Sequence, residues 1–197
     1  MKNLKLQKMT AVAVAAAMGL ILQLIAFPIV PMFPFLKLDF SDIPVLINMF
    51  IFGPMTGIAT ALIRSIVHLT MTGFSIDNMI GDFASFFASV LYTLPIFLMY
   101  RQKTKAKHAL GLGLGILAMT IFMSVANYFV ITPLYLKVFG LSASQMLGMG
   151  LGRYILVGIV PFNLIKGAIV SGVFLVLHAK LLPWLSRKTV ASQHHSI

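Results

Sequence analysis

Pro161-Phe162-Asn163-Leu164-Ile165-Lys166-Gly167 puts a lysine, and an asparagine three residues before it, inside a long run of Ile, Val, Leu and Phe. A charged side chain at bilayer depth costs roughly 2.5–3.5 kcal/mol on insertion scales, so an intramembrane lysine is retained for a function. Residues three apart share one helical face. Asn163 and Lys166 therefore read as the polar wall of a pocket inside a membrane protein. The competing reading is a lysine that snorkels or caps a neighbouring helix end. A long apolar run separates Lys166 from the basic C-terminal tail, which favours the pocket.

Composition sets the class. Of 197 residues, 59% are hydrophobic and only 10% charged, which excludes an ordinary soluble domain. All four acidic residues are Asp, and the net charge is +11. Such a balance would raise nucleic acid as a partner, but its placement excludes that reading. The basic residues gather at Lys2/Lys5/Lys8, at Arg101/Lys103/Lys105/Lys107 and at Lys180/Arg187/Lys188, between long apolar runs. Clusters so placed mark the cytoplasmic ends of membrane helices. There is no cysteine, so disulfides and thiolate chemistry are excluded. The basic start followed by apolar residues 11–27 resembles a signal peptide, but further spans follow, and it reads as a retained first helix.

The chain reads as a single membrane domain, 1–197, of all-α class. Helices are predicted at about 9–27, 42–52, 55–70, 83–100, 109–134 and 161–182. Ser41 suits an N-cap and Pro44 a first helical turn. The apolar run 43–63 is long enough for one span, yet Gly53-Pro54 interrupts it. One span there puts the Arg101–Lys107 cluster opposite the basic N-terminus. Two spans put all three clusters, and both termini, on the cytoplasmic side, so six transmembrane helices are expected. The second helix is then only about 15 Å long against a hydrocarbon core of about 30 Å. It must extend into the first loop or be sheltered by neighbours. Pro133 is expected to end or kink the fifth helix, followed by a long external connection over 135–160. Asn127 and Asn163 fall in the outer halves of their helices, on the side of the external loops. That convergence points to a small-molecule site open to the outside.

Other motifs carry less. Gly111-Leu-Gly-Leu-Gly115 lacks dinucleotide spacing and a Gly-Lys-Ser/Thr ending, so it reads as close helix packing, as does Gly53-x-x-x-Gly57. Arg64 and His68, one turn apart, read as ion-pair partners for Asp77 and Asp82 in preference to ligand contacts. The five His are scattered, there is no Glu, and no Gly-x-Ser-x-Gly appears. No catalytic residues and no metal ligands are expected, and the chain is not expected to be an enzyme. With no Gly-Lys-Ser/Thr motif for ATP hydrolysis, any energy-driven step must draw on a partner or an ion gradient.

Four stretches together carry a family resemblance: Leu36-Lys-Leu-Asp-Phe-Ser-Asp-Ile-Pro44, Phe52-Gly-Pro54, Asn127-Tyr-Phe-Val130 and Pro161-Phe-Asn-Leu-Ile-Lys-Gly167. The set resembles the riboflavin-binding S components of energy-coupling factor (ECF) transporters of Gram-positive bacteria. The resemblance implies six helices, a lid-like first loop and residence in the cell membrane. It implies riboflavin or FMN as bound substrate with no other cofactor. It also implies a transmembrane T component coupled to two cytoplasmic ATPases. Carried onto this sequence, it places Asn127, Asn163 and Lys166 on the flavin, with Leu36, Leu38 and Asp39 nearby. The chemistry is consistent: Asn donates and accepts, Lys donates, and the flavin pyrimidine edge alternates acceptors with an N–H. The family's Ala-x-x-x-Ala surface, which meets the T component, maps to Ala13 and Ala17; Ala11/Ala15 and Ala15/Gly19 share that spacing. The rival readings are an S component for folate, thiamine or biotin, a stand-alone secondary carrier, and a membrane scaffold without a ligand.

Overall fold

A computed structural model describes the backbone of residues 2–102 and 104–194 and the side chains of most of residues 4–180. The side chains of Lys2, Lys103, Arg187 and Lys188, which belong to the basic clusters, lie outside that description. Helix α1 spans Lys2–Leu24. The first loop follows, closed at its base by a two-residue antiparallel ladder, β1 (Phe27–Pro28) with β2 (Lys37–Leu38), in which Phe27 faces Leu38. Then come α2 (Asp42–Phe52), α3 (Pro54–Thr72), α4 (Ile76–Tyr100) and α5 (Lys105–Ala126). A π-helical turn, Asn127–Ile131, runs into α6 (Thr132–Phe139). Two short helices, α7 (Ala143–Leu147) and α8 (Leu151–Tyr154), lead through a second π turn, Ile155–Ile159, into α9 (Val160–His194). Among the described residues, four helical stretches are long and apolar enough to cross a membrane: Leu4–Leu24, Ile76–Tyr100, Lys105–Phe139 and Ala143–Lys180.

The short α2 is sheltered rather than extended. Its residues Asp42, Ile43, Pro44, Val45, Leu46, Asn48 and Met49 are all buried, against α1, α3, α4 and α9. Polar atoms between α2 and α3 satisfy one another: Asn48 Nδ2 donates to Thr60 Oγ1 at 2.7 Å, and the Thr56 hydroxyl donates to the carbonyl of Gly53. Gly53 turns the chain between them at φ +102°, a conformation that favours glycine, and Pro54 opens α3. Gly57, by contrast, lets Met49 approach, so only one glycine of that pair serves packing.

Two elements run longer than the sequence pattern predicts. Helix α4 starts at Ile76 rather than near 83, because Asp77 lies in its first turn and Asp82 is partnered inside the protein. Pro133 does not end the fifth helix. The π turn ahead of it, with Thr132 N–H bonded to Asn127 O, widens the backbone where the proline ring would clash and carries the helix on to Phe139. The connection expected over 135–160 is accordingly mostly helical.

Ile43 and Leu46 (α2), Tyr92, Ile96 and Tyr100 (α4), Met119 (α5), and Val170 and Phe174 (α9) form the main core. Gly111 and Gly115 let α5 close on Met99, Ile96 and the Tyr92 carbonyl, whereas Gly113 faces open space. A second cluster joins Phe33 of the first loop to Leu147, Tyr154, Ile155 and Ile159. Phe33 sits edge-on to Tyr154 at 4.9 Å, where Gly158 leaves room for its ring. The first loop is thus a packed element lying on the segment that leads into α9.

Candidate functional site

Lys166 lies two turns into α9, and its Nζ donates to Asp39 Oδ2 of the first loop at 2.8 Å. Both side chains are largely buried, at 15% and 11% exposure. Asp39 takes its other bonds from Ser41, whose backbone N–H donates to Oδ1 at 2.9 Å and whose hydroxyl donates to the same atom. Ser41 therefore makes no cap bond for α2; its hydroxyl is engaged by Asp39 and, at 2.6 Å, by Arg64 Nη1. Burial alone would raise the Asp39 carboxyl. The charge and hydrogen bond of Lys166, the bond from Ser41 and the charge of Arg64 outweigh it and hold the carboxyl at about 2.

Asn163, one turn before Lys166, is 3% exposed and donates through Nδ2 to Ile159 O at 2.8 Å. Its Oδ1 has no hydrogen-bond partner among the described residues and is free to accept an N–H. Asn127 opens the first π turn; its Nδ2 donates to Met123 O at 2.8 Å and its Oδ1 accepts the Thr132 hydroxyl. The two π turns pack against each other, which brings the two asparagine-bearing helices side by side. π turns recur at functional sites because they displace backbone groups from the regular ladder. Leu38 is fully buried beside Asp39, and Leu36 packs on the Phe33 cluster.

The structure thus brings Asp39 of the first loop onto Lys166, with Asn163 one turn before the lysine on the same helix. Asn127 lies on the adjoining helix without a bond to them. A cleft of about 590 Å³ opens between residues 30–33 of the first loop and Met149, Arg153 and Val157. None of the six residues expected on the ligand lines that cleft. Ala13 and Ala17 lie one turn apart on the outward face of α1, exposed, with Val14, Met18 and Ile21, while Val12, Ala16 and Leu20 face the bundle.

Sequence reasoning misassigned Arg64. Its guanidinium reaches Ser41, Asp42 at 3.4 Å and Ser85 at 3.2 Å rather than Asp77 or Asp82. Asp82 does pair with His68, at 2.8 Å, as the spacing suggested. The signal for Arg64 was available: a second basic residue inside an apolar helix, read by the same rule that singled out Lys166.

Comparison with known proteins converges on one family. The model for the ECF transporter substrate-specific component matches residues 7–178. The riboflavin transporter FmnP of Bacillus subtilis is 34% identical over 192 residues, covering 97% of this chain and all of that protein. The riboflavin transporter RibU of Staphylococcus aureus is 36% identical over 182 residues, covering 92% and 93% of the two chains. A solved S component of a bacterial ECF transporter superposes with a TM-score of 0.75 at 34% identity, over 94% of this chain and 99% of the other.

Proposed function

From the premise that this chain belongs to the ECF transporter substrate-specific components, we propose that it captures riboflavin or FMN outside the cell for ATP-driven uptake. The observation that carries the substrate is the similarity, over nearly the whole chain, to proteins that are riboflavin transporters. It is a multi-pass membrane protein and a transporter component, not an enzyme. Riboflavin is its substrate, with no separate cofactor.

The site is assigned to Asn127, Asn163 and Lys166, with Leu36, Leu38 and Asp39 of the first loop beside them. The free Oδ1 of Asn163 accepts the flavin ring N–H, and Lys166, with two N–H groups beyond the one given to Asp39, donates to a ring carbonyl. The loop leucines cover an apolar face of the ring. In the membrane the chain crosses six times with both termini cytoplasmic. What supports this topology is the placement of the basic clusters together with the burial of the short α2 among its neighbours. A T component docks on Ala13 and Ala17 of α1, where small residues let helices approach closely, and the two cytoplasmic ATPases coupled to it supply the energy.

The test is flavin fluorescence with the purified, detergent-solubilised protein. Stoichiometric quenching of added riboflavin or FMN is expected. A folded sample that quenches neither, but binds another vitamin, would overturn the substrate and leave the family intact.

A further inference from the structure

Arg64 is 1% exposed, in the middle of α3. Its guanidinium spans three elements: Nη1 donates to Ser41 Oγ at 2.6 Å and to Asp42 Oδ1 at 3.4 Å, and Nη2 to Ser85 Oγ of α4 at 3.2 Å. Ser41 passes that anchorage to Asp39 Oδ1 through its backbone N–H, at 2.9 Å, and its hydroxyl. Asp39 passes it to Lys166 through Oδ2 at 2.8 Å. Two carboxylates and two cations close one buried, charge-balanced group, the condition under which ions are tolerated away from water. The arginine stem is pinned from behind as well. A Cβ on Gly19 of α1 would meet Arg64 Cδ at 3.1 Å and Ser41 O at 3.3 Å, so α1 closes directly on this group.

We propose that Arg64 is a positioning residue of the ligand site: it holds Ser41, and through Ser41 and Asp39 it sets where the Lys166 amine points. The inference rests on the flavin reading for what the amine binds, but its geometry stands without a ligand. Three acceptors diverging from three elements require the planar fork of arginine, which a lysine ammonium cannot reproduce. A neighbouring reading, that Arg64 only neutralises Asp42, leaves its shortest bond, to Ser41, without purpose.

The experiment uses the full chain, purified in detergent, as wild type, Arg64→Gln, Asp39→Asn and the double variant. Riboflavin affinity is read by flavin fluorescence. Acetylation of Lys166 by acetic anhydride, without ligand, is read by mass spectrometry. Arg64→Gln is expected to weaken riboflavin binding on the order of tenfold or more, as the loss of a charged hydrogen-bond chain does, and to raise Lys166 acetylation. The double variant is expected to bind little worse than either single one, because both cut the same chain. Independent, multiplying losses, or wild-type affinity and unchanged acetylation in Arg64→Gln, would overturn the proposal. If Arg64→Gln does not yield a monodisperse protein, Ser41→Ala cuts the same chain while leaving Arg64 on Asp42 and Ser85, and it is judged by the same outcomes. Wild type that fails to bind riboflavin overturns the flavin reading, while the acetylation result still decides the role of Arg64.

Discussion

Lys166 and Asp39 stand 127 positions apart in the chain and meet at 2.8 Å, joining the last long helix to the first loop. Removing one member of a largely buried pair strands the other charge, which typically costs about 3–5 kcal/mol, whereas removing both is far milder. Lys166→Met or Asp39→Asn alone should therefore lower the melting temperature more than the two together. Additive losses in the double variant would show that the pair is not coupled.

Loss of ligand contacts should be read separately from loss of fold. Asn163→Ala and Lys166→Ala are each expected to weaken riboflavin binding by about 1.5–3 kcal/mol, roughly ten- to a hundredfold. Asn127→Ala should have a smaller effect, because Met123 and Thr132 already engage its amide. Fluorescence titration measures all three, and unchanged affinity in the first two would withdraw their assignment.

The Asp39 carboxyl makes a pH prediction with a definite sign. Held at about 2 in the fold against an ordinary 3.8, it binds fewer protons folded than unfolded across that interval. Its contribution to stability is therefore complete above the ordinary value and is lost as pH falls through the folded one. Melting temperature and riboflavin affinity should stay flat, so far as Asp39 is concerned, from neutral pH down to about pH 4. A titration of either quantity that Asp39→Asn abolishes, centred between pH 5 and 7, would contradict the paired geometry.

The outward face of α1 separates capture from transport. Ala13→Trp or Ala17→Trp points away from the bundle and should leave riboflavin binding at the wild-type level. Uptake into cells or vesicles carrying the T component and ATPases should fall to background, because a bulky side chain holds two helices apart. Loss of binding in these variants would instead make the face part of the fold.

Glycines in α5 give an internal control on packing. A methyl at Gly115 would overlap the carbonyl oxygen of Tyr92, while one at Gly113 meets nothing within 4 Å. Gly115→Ala should destabilise by about 1–3 kcal/mol, the usual cost of overpacking. Gly113→Ala should be neutral or gain up to about 1 kcal/mol, as alanine is the better helix former. Thermal melts of the two variants side by side decide it.

Membrane class, the approximate helices and the presence of two polar residues, Asn163 and Lys166, inside an apolar helix were legible along the chain, because each rests on local physics. A run of apolar residues is a helix in lipid, and a lysine within it is costly wherever the helix packs. The start of α2 at Asp42 was equally local, written by Pro44 and by the Gly53-Pro54 break that ends it. Of the partners of the charged groups, the spacing gave His68 with Asp82 but not those of Arg64 or Lys166. Arg64 chose Ser41, Asp42 and Ser85 over the acidic residues nearest its own turn, and Ser41 gave its hydroxyl to Asp39 rather than to the helix it precedes. Pro133 likewise stopped nothing once a π turn had opened the backbone ahead of it. Sequence determined which residues were too polar for their surroundings. Only the tertiary structure decided which of them met, because a buried charge takes the partner that three-dimensional packing brings within about 3 Å, whatever their separation along the chain.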